Sequence, residues 1–302
     1  ITRIILKKTI KLAGYQGHQS IHTQAMKSFI NNIDNSFDID FMMDVTLKGE
    51  MASSLIEKTI NEDIHISYLW SSYYEKIIPE IKLLDLPYLF KDRNSAYKTL
   101  DKKFFNYINE KMNNNNLTLL GFWDNGVRHL SSKVKEIKAP EDCKNQIIRT
   151  TPSQLHIDIF KSMGFIPSPL DVRDFKIAVK DGKIDAQENP LTNYWNFEIY
   201  KTQKFVSLTN HMIGFCIFAI NTNFLNNLSD QERSIIEKSA ENSVVFQRNL
   251  ASKEDGILLN KMEKESVKVT KLSLSQLTEF KKTTQKYHDL FFKEFPLMKE
   301  FI

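Results

Sequence analysis

Seven arginines, Arg3, Arg93, Arg128, Arg149, Arg173, Arg233 and Arg248, stand among 41 basic side chains that are otherwise lysine. In such a chain an arginine marks a place where a planar fork does what a point charge cannot, above all gripping a carboxylate through two parallel hydrogen bonds. Two of them have a fitting setting. Arg149 closes the apolar run Ile147-Ile148 and precedes Thr150-Thr151-Pro152, which puts it at the carboxyl end of a strand, where open α/β sheets take ligands. Arg128 follows Asn125-Gly126-Val127 directly after the apolar run 117–123, where the chain can cross between lobes. The alternative for each is a surface residue or the partner of a structural aspartate. Asn189, in Gln187-Glu188-Asn189-Pro190, carries an amide that can donate and accept toward a polar ligand; equally, it can fix the turn before proline.

Other chemistries find less support. The chain has no GxSxG elbow, HExxH pair, P-loop or GxGxxG after a strand, the usual marks of hydrolases, zinc peptidases and nucleotide binders. His18 and His22 are four apart and could share a helical face as metal ligands, yet no third ligand is identifiable, so a solvated helix start is the simpler reading and no metal or cofactor is expected. Lysines are interspersed with acids throughout, whereas a nucleic-acid binder concentrates its basic charge.

Around these residues lies an ordinary globular composition. The 302 residues are 41% hydrophobic and 26% charged with a net charge of +4, which excludes a disordered or collagen-like chain and favours two lobes over one core. Only 9 glycines and 8 prolines occur, against about 21 and 15 at average usage, so long helices are favoured over phosphate loops. The most apolar stretch, 212–220, is far shorter than a membrane span needs. The opening ITRIILKKTIKL lacks a signal peptide's apolar core, which fits a cytosolic protein or a mature exported one. Cys143 and Cys216 are too few and too far apart for a disulfide framework.

The periodicity alternates strand and helix. Ile10 and Leu12, then Phe37, Ile39, Phe41, Met43 and Val45, alternate as strands around a helix through Ile21, Ala25, Met26, Phe29, Ile30 and Ile33, which predicts a parallel pair. A helix is expected over 51–60, a strand over 64–70, a helix from 94 to about 112, and a strand over 117–123 buried on both faces. After Pro140 come a strand over 146–150, helices over 155–163 and 174–180, and a strand over 184–187. Helix, turn and strand in 55–68 echo those in 175–187, which two lobes built on related units would explain. Ser229-Asp-Gln-Glu232 is a capping box for an uninterrupted helix to about 264, long enough to span both lobes, and Ser275 opens another.

These residues also carry a resemblance. LDLPYLF (84–90), GFWDNGVRHLSS (121–132), APEDCKNQIIRTTPS (139–153), AVKDGKIDAQENPL (178–191) and SLTNH (207–211), with a looser match through KGEMASSLIEKTINEDIHISY (48–68), resemble the extracytoplasmic substrate-binding proteins of tripartite ATP-independent periplasmic (TRAP) transporters. The resemblance implies a two-lobed α/β, periplasmic-binding-protein-like fold that closes on a small organic anion and delivers it to a membrane permease, without catalysis. It implies a periplasmic, mature and monomeric protein, with Arg149 as the principal carboxylate partner, Arg128 in support and Asn189 beside them. Lobe I is expected over 1–126 and 214–253, and lobe II over 127–213 and 254–302, with the helix about 229–264 bridging them.

Departures from that family bear on the ligand. Cys143 and Asn145 replace a leucine and a glycine common among its members, a local change. Trp70 stands where relatives that bind sialic acid carry an acid, which argues for a small carboxylate with an apolar or planar body. Tyr68, Trp123 and Phe215 extend that wall or are simply core. Rival readings are an α/β enzyme on a carboxylic acid, with His129 or His211 as base, and a sensory module of the same fold.

Overall fold

The computed structural model describes residues 7–33 and 35–302, so Arg3 lies outside the described residues. Strand β1 (Lys8–Ala13), helix α1 (Ile21–Ile33) and strand β2 (Phe37–Met42) form the expected parallel unit. The strand expected to reach Val45 ends earlier, because the Asp44 side chain accepts from Thr46 N and caps a short turn. Helix α2 (Ser54–Ile60) starts three residues later than expected, and β3 (Ile66–Trp70) pairs parallel with β1.

The single helix expected over 94–112 is two, α3 (Arg93–Leu100) and α4 (Lys103–Asn113). Their buried residues Ala96, Leu100, Phe104, Ile108 and Met112 are spaced strictly by four. On one helix that spacing drifts about 40° per step, and the break at Asp101-Lys102 returns the stripe to the core. Strand β4 (Leu117–Ser132) runs well past residue 123, because neighbours on both sides pair with its polar second half.

Strand β5 (Ile147–Thr150), helix α5 (Gln154–Ser162), strand β6 (Ile166–Pro169), helix α6 (Val172–Lys180), strand β7 (Ala186–Pro190) and helix α7 (Leu191–Asn196) follow. Strand β6 was not expected; its Pro167 and Pro169 suit only a sheet edge, where it lies. Strand β7 falls two to three residues beyond the expected 184–187. Asn145 has φ of 64°, the left-handed region that glycine enters freely and asparagine tolerates.

Strand β8 (Phe205–Asn221) was not anticipated either, since its apolar run shows no alternation; both faces are covered. Helix α8 (Thr222–Asn226), helix α9 (Asp230–Lys264), strand β9 (Lys268–Lys271) and helix α10 (Leu274–Glu294), capped by Ser273 rather than opened at Ser275, complete the chain.

The nine-stranded sheet has the order β2-β1-β3-β8-β4-β7-β5-β6, with β9 on β8. It is pseudo-symmetric: β2-β1-β3 is a parallel trio meeting β8 antiparallel, and β6-β5-β7 is a parallel trio meeting β4 antiparallel. The echo between 55–68 and 175–187 is therefore α2–β3 and α6–β7 in equivalent places. Strands β4 and β8 pair with each other through both halves, with register shifts around Asp124/Gly126 and Arg128/Leu130. Gly126, at φ of 108°, sits where a Cβ would lie 2.6 Å from Pro190 Cβ, so only glycine fits the crossing.

Helix α9 has 35 residues and is about 52 Å long at 1.5 Å per residue. Its buried side chains Ile236, Ala240, Ser243, Gln247, Ala251, Leu258 and Met262 form one stripe, packed against α1 and β4 and, further on, α7 and β9. The molecule is thus a two-lobed α/β structure spanned by one long helix.

Candidate ligand-binding site

The ladder between β4 and β7 places Arg128 beside Glu188 and Asn189. Arg128 Nε donates to Glu188 Oε2 at 2.5 Å and Nη2 to Oε1 at 2.6 Å, a two-point pair with neither side chain exposed. Nη2 also donates to Asn189 Oδ1 at 3.3 Å. The guanidinium carbon lies 3.9 Å from the centre of the Trp70 ring. Burial pushes the Glu188 carboxyl up, but Arg128 and a contact with His211 hold it well below the usual carboxylate range. Arg128 therefore has the acidic partner that one reading of the sequence allowed, a glutamate rather than an aspartate.

Arg149 lies between Gln187 of β7 and Ser168 of β6 in the parallel trio. Its Nε and Nη2 donate to the Leu170 carbonyl at 2.9 and 2.6 Å, and its guanidinium lies 4.7 Å from the centre of the Phe175 ring. It is 1% exposed and, among the described residues, forms no ion pair. Burial pulls its guanidinium down from the ordinary value, while the Tyr73 phenol and Glu188 oppose that pull. Burying a charge without a counter-charge costs several kcal/mol. The fork edge away from Leu170 is the one an anion can meet.

Polar atoms cluster around the two arginines. Arg128 Nη1, Trp70 Nε1, Thr150 Oγ1, Thr151 Oγ1, Asn125 Nδ2 and Asn193 Oδ1 are buried without a hydrogen-bond partner, in a protein class where such groups are nearly always satisfied. Asn189 is fully engaged: Nδ2 donates to Gln187 Oε1 at 2.5 Å, and Oδ1 accepts from Asn193 Nδ2 at 3.3 Å as well as from Arg128.

The structure brings Arg149, Arg128, Asn189 and Trp70 together, but Trp70 offers no free apolar wall, since its face lies on Arg128. Tyr68 and Trp123 share the same sheet face, 5.2 Å apart, with Trp123 stacked on Phe218 at 4.4 Å. Phe215 points the other way. Trp70 and Trp123 both pair with Cys216, so Phe215, opposite Asp124, takes the reverse face and packs on Phe90 and Tyr97. Cys143 and Cys216 are buried, and burial pushes both thiols up, Cys216 to about 12, so neither is a nucleophile.

Neither histidine of the enzyme reading is poised as a base. His129 is lowered to about 3 by burial, and its Nδ1 accepts from Asn210 N. His211 is engaged at both ring nitrogens, by Thr209 and Glu188. His22 is not half of a metal pair: it is buried, lowered to about 4 by burial, and bonded to Asn125 and Gln247, while His18 is exposed. No metal-ligand cluster occurs among the described residues. Sequence reasoning overlooked Glu188, although its place beside Asn189 in a strand opposite Arg128 was a usable signal. It also missed the Leu170 carbonyl and Phe175, which no local pattern marks.

The site lies under a seam between the two sheet halves. The Asp171 carboxylate accepts from Ala52 N at 3.0 Å and Ser53 N at 3.2 Å, Arg173 Nη1 donates to Gly49 O at 3.0 Å, and Lys176 Nζ donates to Thr46 Oγ1 at 3.1 Å. A cavity of about 620 Å³ lies along this seam, lined by residues that include Ser53, Tyr73, Pro152, Leu170 and Asp171.

Known proteins share this fold. The 2,3-diketo-L-gulonate-binding periplasmic protein YiaO of Escherichia coli strain K12 is 29% identical over 218 residues, 72% of this chain and 66% of the relative. The match thus spans slightly under two thirds of that relative's length. The crystal structure of the sugar acid binding protein DctPAm from Advenella mimigardefordensis, in complex with galactonate, superposes with a TM-score of 0.92 at 23% identity, covering 98% of this chain and 96% of that one. A TRAP periplasmic solute binding protein from Sulfurospirillum deleyianum with bound succinate superposes with a TM-score of 0.89 at 22% identity, covering 96% of each chain. The family model for DctP, bacterial extracellular solute-binding protein family 7, matches residues 15–294. With nearly the whole described chain inside that match and the two-lobed fold in common, the protein belongs to this family of extracellular solute-binding proteins.

Proposed function

We propose that this protein captures a small organic acid anion outside the cytoplasm, closes around it and delivers it to a TRAP-type membrane permease. The carrying observation is Arg149, a buried guanidinium whose described partners are the Leu170 carbonyl, the Phe175 ring and the Tyr73 phenol, none of them a carboxylate in an ion pair. An anion on its free edge supplies the missing counter-charge, in a site where charge-assisted bonds are strong because water is excluded. Arg128, already neutralised by Glu188, positions Asn189 and adds a donor at Nη1.

The lobes divide at residues 126/127, 213/214 and 253/254. Gly126 and Gly214 face each other across β4 and β8 at the first two, and α9 carries the third. Closure is a population shift set by the ligand's preference for the closed state, with the Asp171, Arg173 and Lys176 contacts as its latch. The protein acts as a monomer in the periplasm. The names of YiaO and of the galactonate and succinate complexes support an organic acid ligand. Native purification, denaturation and mass spectrometry of the released small molecules test the reading. Recovery of an organic acid supports it; recovery of a neutral or cationic metabolite contradicts it.

A further inference from the structure

A third arginine stands away from the ligand site and grips two carboxylates at once. Arg93, the first residue of α3, donates through Nε to Asp124 Oδ2 at 2.7 Å and through Nη2 to Asp255 Oδ2 at 2.8 Å. One guanidinium thus joins strand β4 to the long helix α9. A lysine could hold either carboxylate, but only a planar fork holds both in fixed geometry, because its donors sit on separate nitrogens.

Each carboxylate lies next to a place where the backbone can flex. Asp124 is two residues before Gly126, and its Oδ1 accepts from the Gly126 amide at 2.6 Å. Asp255 directly precedes Gly256, in the interior of the 35-residue helix. A Cβ at Gly256 would meet nothing within 4 Å. No close packing demands glycine there, and glycine weakens a helix relative to alanine. One turn earlier, the Ser252 hydroxyl donates back to the Asn249 carbonyl at 2.9 Å, a side-chain bond that competes with the helical ladder. Helices bend at such Gly and Ser positions. Gly126 thus marks the β4 crossing at 126/127, and Ser252 and Gly256 bracket the α9 crossing at 253/254.

The two grips are unequal. Asp124 is fully buried and held from several sides: Tyr97 Oη donates to Oδ2 at 2.5 Å, and Gln247 bonds its backbone N at 2.7 Å and O at 2.6 Å. Asp255 has Arg93 as its only ion-pair partner among the described residues, and its Oδ1 is buried without a hydrogen-bond partner. Burial pushes the Asp255 carboxyl up, against the pull of Arg93. Gln247 therefore ties α9 to β4 before the helix crosses, and Arg93 carries the tie past the crossing.

We propose that Arg93 is a coupling strap, which makes the β4 crossing at Gly126 and the α9 crossing at Gly256 change shape together when the lobes move. Arg93 is a positioning residue and touches no ligand. The strap rests on the lobe boundaries given above and is independent of what the ligand is.

Hydrogen exchange followed by NMR on the intact, ligand-free protein tests it. The Gly126 amide is the reporter, because its acceptor is the carboxylate that Arg93 grips. Asp255→Asn frees one arm of the fork and should speed exchange at Gly126 ~3-fold or more. Gly256→Ala stiffens the helix and should slow it by a similar factor. In an Arg93→Lys background, which keeps the charge and loses the fork, neither α9 substitution should move the Gly126 amide. A merely local role for Asp255 and Gly256 changes exchange within α9 alone. Gly126 exchange unmoved by both substitutions overturns the strap, and so does an equal response in the Arg93→Lys background. Either result leaves the organic acid reading intact, whereas recovery of a neutral metabolite from the native protein overturns that reading and leaves the strap standing.

Discussion

Arg128 and Glu188 form a fully buried two-point ion pair, Nε to Oε2 at 2.5 Å and Nη2 to Oε1 at 2.6 Å, across the β4–β7 ladder. The pair leaves the neighbouring Arg149 as the charge that lacks a counter-ion, so two arginines with similar sequence settings have different tasks.

Glu188→Gln should leave Arg128 buried without its counter-charge. The expected loss of stability is about 3–5 kcal/mol, read by urea denaturation at neutral pH. Glu188→Gln with unchanged stability contradicts a structural role for the pair.

Acid should weaken the fold in two windows. His22 titrates near 4 in the folded state against 6.5 unfolded, so the unfolded chain takes up its proton first as pH falls. Stability is lost between those values, up to about 3 kcal/mol for this group. Glu188, depressed in the folded state, contributes stability above the unfolded carboxylate value that is lost as pH falls through and below it. Denaturation curves from pH 7 to 3 check this, and His22→Gln should reduce the upper window without abolishing it, because burial lowers His65, His129 and His211 as well.

Asp171→Ala should loosen the seam while leaving the hydrogen bonds of Arg149 to the Leu170 carbonyl in place, although it also removes a carboxylate that bears on that guanidinium. Loss of the bonds to Ala52 N and Ser53 N removes the latch, and loss of the bond from Arg173 N removes the cap of α6, worth about 1 kcal/mol. Ligand affinity is expected to fall ~10-fold, with faster release in stopped-flow fluorescence. A lower melting temperature with unchanged release shows that Asp171 is only a cap.

What the sequence makes legible follows from how far each signal reaches. The βα alternation, the Ser229 capping box and the settings of the proposed ligand-binding residues Arg149, Arg128 and Asn189 are local patterns, visible before any packing is known. Strand β8 is hidden because burial on both faces erases alternation, and β6 because its prolines read as loop. Phe215 looks like an equal of Trp123 until the register with Asp124 turns it to the other face. The Gln247–His22–Asn125 relay joins residues more than a hundred positions apart, and nothing in local sequence links them.

The central claim is that Arg149 holds the ligand's carboxylate by fork geometry. Titration calorimetry of Arg149→Lys with the acid recovered from the native protein tests it most directly. The charge is kept and the two-point grip is lost, so affinity should fall ~100-fold while the melting temperature of the ligand-free protein changes by a few degrees at most. Parental affinity in Arg149→Lys contradicts the account.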